Sequence, residues 1–101
     1  MTKVALLVSL TLLAACAVSR PPEDATGAEI YANLCANCHG DGMEGGIGPP
    51  LGPGSNSAAR PDSFLETTIE HGRGRMPSFS STLSDEQLTR LIDHIREAQE
   101  G

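Results

Sequence analysis

Cys35-Ala36-Asn37-Cys38-His39 concentrates the most reactive side chains of the sequence: two thiols three residues apart, with an imidazole directly after them. On a helix, residues at that spacing share a face, with Cβ atoms about 5–6 Å apart. Three chemistries suit such a pair. Two thiols can cycle between dithiol and disulfide, which requires a βαβ surround. They can hold zinc, which requires further ligands, here His71 or His94 from far along the chain. They can also add to the two vinyl groups of a haem, with the next residue, His39, as a ligand to its iron; C-x-x-C-H is the signature of that attachment. The sequence has no convincing strand pattern, and its other histidines are remote, so the haem reading is preferred.

An iron bound by His39 has a second axial side, for which Met76, His71 and His94 are the candidates. Met43 follows Cys38 by only five residues and belongs to the tethered side of the ring. His94 falls off the apolar stripe of the last helix and reads as a solvated histidine. His71 stands at an expected helix end, where a histidine serves the last carbonyls. Met76 sits in Gly74-Arg75-Met76-Pro77, a turn-forming run from which a thioether can project off a backbone held by Pro77. A methionine there can bind the iron or simply fill the core, and a His/Met pair would raise the reduction potential of the iron. Arg73 and Arg75 either pair with haem propionates or stand in solvent.

These residues need elements to place them. Thr26-Gly27-Ala28-Glu29 reads as a capping box that starts a helix leading directly into the cysteine motif. Ile30, Leu34 and Cys38 recur every four residues along it, and Gly40 with Gly42 ends the run. A second helix is expected from about Asp62 to His71, with Phe64, Leu65, Thr68 and Ile69 inward and Gly72 closing it. Ser84 and Gln87 form another capping box, and Leu88, Leu91, Ile92 and Ile95 make the apolar stripe of the last helix, which ends near Ala98. Gly27 lacks a side chain, so the first helix can approach the last closely at that point.

Residues 26–98 resemble a class I mono-haem c-type cytochrome of the small bacterial kind. The resemblance rests on the C-x-x-C-H motif, on Gly27 and Tyr31 upstream of Cys35, on Gly48-Pro49-Pro50-Leu51, and on Gly74-Arg75-Met76-Pro77-Ser78-Phe79. It implies an all-α fold of three to four helices wrapped around one covalently attached haem c, joined through Cys35 and Cys38 and ligated by His39 and Met76. It further implies that the Pro49 carbonyl accepts a hydrogen bond from the outer ring nitrogen of His39. Leu51 would pack on the haem face, Phe64 and Phe79 would wall the pocket, and Tyr31 would lie near Leu91 or Ile95. The chain lacks the lysine ring of mitochondrial relatives, so their partners do not carry over.

The chain has 101 residues, of which 39% are apolar and only three aromatic. That supports one small domain, which at this size usually needs a cofactor or other staple. Thirteen acidic residues against seven basic ones give a net charge of −6, and nucleic acid is excluded as a partner for want of a basic footprint. A partner steered by that net charge would be neutral or basic at its contact face. Met1–Ala15 reads as a signal peptide: a short positive start, then an apolar run too short for a membrane-spanning helix. Leu13-Ala14-Ala15-Cys16 resembles the lipobox of bacterial lipoproteins, which implies cleavage before Cys16 and acylation of that cysteine. Ordinary cleavage after Ala17 also fits the small-residue pattern. Residues 16–25 read as a solvated tether; the nine after Cys16 span about 30 Å when extended. Residues 26–101 are the domain.

The expectation is a one-electron carrier, exported and tethered at the periplasmic side of a membrane, that passes electrons between redox proteins and needs no small-molecule substrate. No acid–base pair or nucleophilic triad points to an enzyme. A haem enzyme or gas sensor with an open sixth position, and a fixed cytochrome subunit of a larger redox complex, are the alternatives.

Overall fold

The computed structural model describes residues 19–101, which are all-α: α1 (Gly27–Leu34), α2 (Ala36–His39), a 3-10 turn (Ser57–Ala59), α3 (Asp62–His71) and α4 (Asp85–Glu100). The expected signal peptide and Cys16 lie outside the described residues. Among those described, no helix is long and apolar enough to cross a membrane.

Both capping boxes form. The Thr26 hydroxyl accepts from the Glu29 amide at 3.1 Å and Ser84 accepts from Gln87 at 3.2 Å, while the Glu29 and Gln87 side chains return to the cap amides. Such caps contribute about 1 kcal/mol each. The helix expected to run unbroken from Thr26 through the cysteine motif is instead interrupted at Cys35, whose φ of −116° lies off the helical value. The hydrogen bonds nearly continue across the break, with Cys35 N–H donating to Tyr31 and His39 N–H to Cys35. Helix α3 occupies the expected Asp62–His71, and α4 runs one turn-half beyond Ala98 to Glu100.

The core lies where α1 crosses α4. A Cβ on Gly27 would stand 2.1 Å from the Arg90 carbonyl oxygen, so only glycine permits the approach. Ile30 and Leu91 are fully buried beside the crossing, each worth about 2 kcal/mol of apolar burial. The whole stripe Leu88, Leu91, Ile92 and Ile95 is buried, as are Leu65 and Ile69 of α3. Tyr31 is buried as well, but its nearest aromatic neighbour is His94, at 5.7 Å between ring centroids. His94 is therefore half-buried against Tyr31, not a solvated surface residue. The glycine contact brings the two helices so close that a position off the stripe is covered too.

The segment expected to be a solvated tether is pinned over Pro21–Ala25. Gln87 donates to the Pro21 and Pro22 carbonyls, Arg90 to those of Glu23 and Ala25, and Ser84 to the Glu23 carboxylate. The side chains of Pro22, Glu23 and Asp24 do remain exposed. It is the backbone that α4 holds, through the side chains of Gln87 and Arg90.

Near its other end α4 fastens the long loop after α2. Arg96 donates to the Ser57 and Arg60 carbonyls and pairs with Asp62 at 2.8 Å, and Gln99 donates to the Leu51 carbonyl and the Ser57 hydroxyl.

Candidate functional site

Between α3, the break at Cys35 and the two loops lies a predominantly apolar cavity of about 400 Å³. Every residue singled out for cofactor contact lines it: Cys35, Cys38, His39, Pro49, Leu51 and Met76. Phe64, Leu65, Thr68, Ile69 and Phe79 complete the wall from α3 and the loop beyond it. Its volume falls within the range of pockets that take small molecules and cofactors.

The two cysteines are free thiols, Cys35 buried and Cys38 exposed. Burial, and secondarily the neighbouring Cys38, push the Cys35 thiol up to about 12, so it is uncharged at neutral pH. His39 is buried, and its Nδ1 lies 2.8 Å from the Pro49 carbonyl oxygen. A carbonyl only accepts, so Nδ1 carries the proton and Nε2 keeps its lone pair as a free donor. The loop delivering Pro49 is built on the helix end itself. Gly45 N–H donates to the His39 carbonyl at 2.7 Å, Gly48 N–H to the Cys38 carbonyl at 2.8 Å, and Leu51 N–H to that of Met43 at 3.0 Å. A Cβ on Gly48 would lie 2.9 Å from the imidazole, which explains glycine at a position the sequence marked only by resemblance. Met43 is buried under this loop, at a φ of 63°, and does not line the cavity.

Met76 reaches the cavity from the opposite loop. Arg73 and Met76 exchange two backbone hydrogen bonds, 3.1 and 2.9 Å, which close a four-residue turn around Gly74. The turn packs back on Gly72, where a Cβ would stand 2.5 Å from the Met76 carbonyl oxygen. Phe79 N–H donates to Ile69, and the Ser78 hydroxyl to the Glu70 carbonyl, so the far side of the loop is sewn to α3. His71 is exposed at the end of α3, and neither it nor His94 lines the cavity. Of the three candidate second ligands Met76 alone lines the cavity, and the zinc alternative is left without a histidine from His71 or His94. The dithiol alternative lacks its βαβ surround, since the Arg73–Met76 pairing is the sole β-bridge among the described residues.

Arg73 and Arg75 are exposed at the cavity mouth. Asn56 and Ser57 also line the cavity, and Arg60 stacks over Phe64 at 5.3 Å. Sequence reasoning passed over Asn56, Ser57, Arg96 and Gln99, whose roles depend on contacts some forty residues apart. Behind the site, the Tyr31 hydroxyl donates to the Gly40 carbonyl at 2.7 Å. Burial raises this phenol to about 12, with smaller contributions from Cys35, Glu44 and Asp41.

A site holding free thiols at C-x-x-C spacing, an oriented imidazole, a thioether and apolar walls fits a haem of the c type. Residues 22–95 match the family described as cytochrome c oxidase, cbb3-type, subunit III. Cytochrome c55X of Stutzerimonas stutzeri is 35% identical over 94 residues, which cover 91% of this chain and 80% of that protein. The menaquinol:cytochrome c reductase cytochrome c subunit of Bacillus subtilis is 38% identical over 76 residues, but this chain spans only 28% of its length. Cytochrome cL from Hyphomicrobium denitrificans superposes with a TM-score of 0.66 at 34% identity, over 72% of this chain and 45% of the other. With the fold, the motif and these relatives in agreement, the chain belongs to the class I c-type cytochromes, in the family of cbb3-type subunit III.

Proposed function

We propose that the chain is a one-electron carrier with a single haem c, attached through Cys35 and Cys38 and ligated by His39 and Met76. It is not itself an enzyme, and it works at the periplasmic side of a membrane to which an acylated Cys16 ties it. The observation that carries this reading is the meeting of both thiols, the imidazole and the thioether in one apolar cavity. Haem bound there supplies a ferric/ferrous couple.

The residues divide the work. Cys35 is an uncharged thiol in a buried position, and a thioether in its place is uncharged too, so attachment buries no charge. The Pro49 carbonyl fixes the His39 tautomer and makes Nε2 the stronger donor. Met76 offers a soft sulfur that favours the ferrous state and raises the potential. Leu51, Phe64 and Phe79 line the cavity with apolar surface that would keep water from a bound haem, which works in the same direction. Were His39 and Met76 both to hold the iron, no position would be left for a substrate, which fits electron transfer without substrate binding.

The absorbance spectrum of exported, matured protein tests the reading. A low-spin ferric spectrum with a methionine–iron charge-transfer band is expected. A colourless product, or a high-spin one that readily binds carbon monoxide, rejects it. Cys38→Ala is expected to yield little stable haem-loaded protein, and Cys16→Ser to release the protein into the soluble fraction.

A second reading, a fixed cytochrome subunit of a larger complex, is favoured by the reductase subunit among the relatives. It uses the same chemistry without diffusion between partners. Co-purification of partner subunits from detergent separates the two.

A further inference from the structure

Gly40 and Gly42, which end the helical run after His39, make room for the same side chain. A Cβ on Gly40 would lie 2.6 and 2.7 Å from the two Glu44 carboxylate oxygens, and one on Gly42 would lie 3.1 Å from Oε2. Gly40 holds a φ of +90°, which glycine adopts without strain. The Gly42 N–H donates to Oε2 at 2.8 Å, so the side chain of Glu44 folds back over the turn that precedes it. The same turn carries the histidine. Gly45 N–H, the amide after Glu44, donates to the His39 carbonyl at 2.7 Å, and the Gly40 carbonyl accepts from the Tyr31 hydroxyl and the Met43 amide. Glu44 does not line the cavity and pairs with no arginine, Arg96–Asp62 being the one ion pair among the described residues. Its charge still reaches the space behind the site: after burial and Cys35, it is the next cause of the raised Tyr31 phenol.

We infer that Glu44 is a positioning residue for His39 and a charge that holds the reduction potential of the iron down. The inference rests on the electron-carrier reading and adds a residue outside the cavity that sets how strong an oxidant the carrier is. The bond to Gly42 fixes the turn, and the turn fixes the carbonyl end of His39 through Gly45. A carboxylate without a cationic partner favours the iron state that carries one more positive charge, the ferric one. It opposes Met76 and the apolar walls, which favour the ferrous state. Because Glu44 is exposed, its share of the potential weakens as salt rises.

Glu44→Gln and Glu44→Ala in haem-loaded full-length protein separate the two parts, since glutamine keeps an oxygen for the Gly42 amide and alanine does not. Redox titration at about 0.01 M and about 0.15 M ionic strength reads the charge. In both variants the ferrous-to-ferric ratio at a fixed applied potential is expected to rise about two- to fivefold at the lower salt, and less at the higher. Hydrogen exchange at the Gly42 and Gly45 amides reads the turn. Exchange about three- to tenfold faster is expected in Glu44→Ala, with Glu44→Gln close to wild type. The paramagnetically shifted His39 ring signals of the ferric protein should move with alanine and hold with glutamine. A ratio unchanged in Glu44→Gln overturns the charge role, and exchange and ring signals unchanged in Glu44→Ala overturn the positioning role. Both results leave the carrier standing. A colourless product, or a high-spin wild type, overturns the carrier and the inference together.

Discussion

The two loops that bring His39 and Met76 to the cavity are built on opposite plans. On the histidine side the constraint falls on the side chain itself: the Pro49 carbonyl accepts a hydrogen bond from its Nδ1–H, and Gly48 sits so close that any Cβ would strike the ring. On the methionine side the constraint falls on the backbone. The Arg73–Met76 turn, the packing on Gly72 and the links to α3 fix where the chain passes, but Met76 is only half-buried. The imidazole is oriented by the protein alone; the thioether is delivered to the cavity and left free to adjust its contact. On the proposed function, the imidazole beside Cys35 and Cys38 would be the permanent ligand and the thioether the adjustable one.

Substitutions that press on each plan separately can break this contrast. Gly48→Ala is expected to have the largest effect. Its methyl group overlaps His39, so haem-loaded protein should lose about 2–3 kcal/mol in denaturant unfolding, with a disturbed spectrum. Met76→Ala is expected to cost less, about 1–2 kcal/mol, because the side chain is only half-buried. Haem stays attached, the iron turns high-spin, and the potential falls in a redox titration. Gly74→Ala should cost about 1 kcal/mol: its φ of +56° disfavours a side chain, but nothing lies within 4 Å. Equal losses for Gly48→Ala and Gly74→Ala would erase the difference between the loops.

The smallest effect concerns the support behind the histidine side. Tyr31 holds the Gly40 carbonyl through its hydroxyl proton, and its folded value of about 12 lies above the ordinary 10.0. An acid raised on folding is favoured in its protonated form. Its contribution is complete below pH 10 and is lost as pH climbs from 10 towards 12. In haem-loaded protein the Cys35 thiol no longer titrates, leaving burial, Glu44 and Asp41 as causes. Melting temperature against pH should fall in that window for wild type, and less steeply for Tyr31→Phe.

Much of this was legible in residues that act locally. C-x-x-C-H marks the attachment point, Thr26 and Ser84 announce their helices through partners three residues on, and Gly72 closes α3 where expected. The ligand loops were readable because Gly and Pro punctuate them. What escaped depends on pairing across the fold. A four-residue apolar period says nothing of a dihedral change at one position, so the break at Cys35 was invisible. Polar residues on α4 such as Gln87, Arg90, Arg96 and Gln99 look solvated in a periodic reading, yet each serves a carbonyl more than thirty residues away. His94 was misplaced for the same reason: its cover comes from Tyr31 on another helix.

The clasp of α4 on Pro21–Ala25 shifts the pivot of the molecule. Were Cys16 acylated as proposed, only the residues before Pro21 would separate the lipid from the clasp, a span of at most about 17 Å instead of about 30 Å. On that proposal the domain would sweep a small arc, and an electron donor or acceptor would meet it close to the bilayer surface.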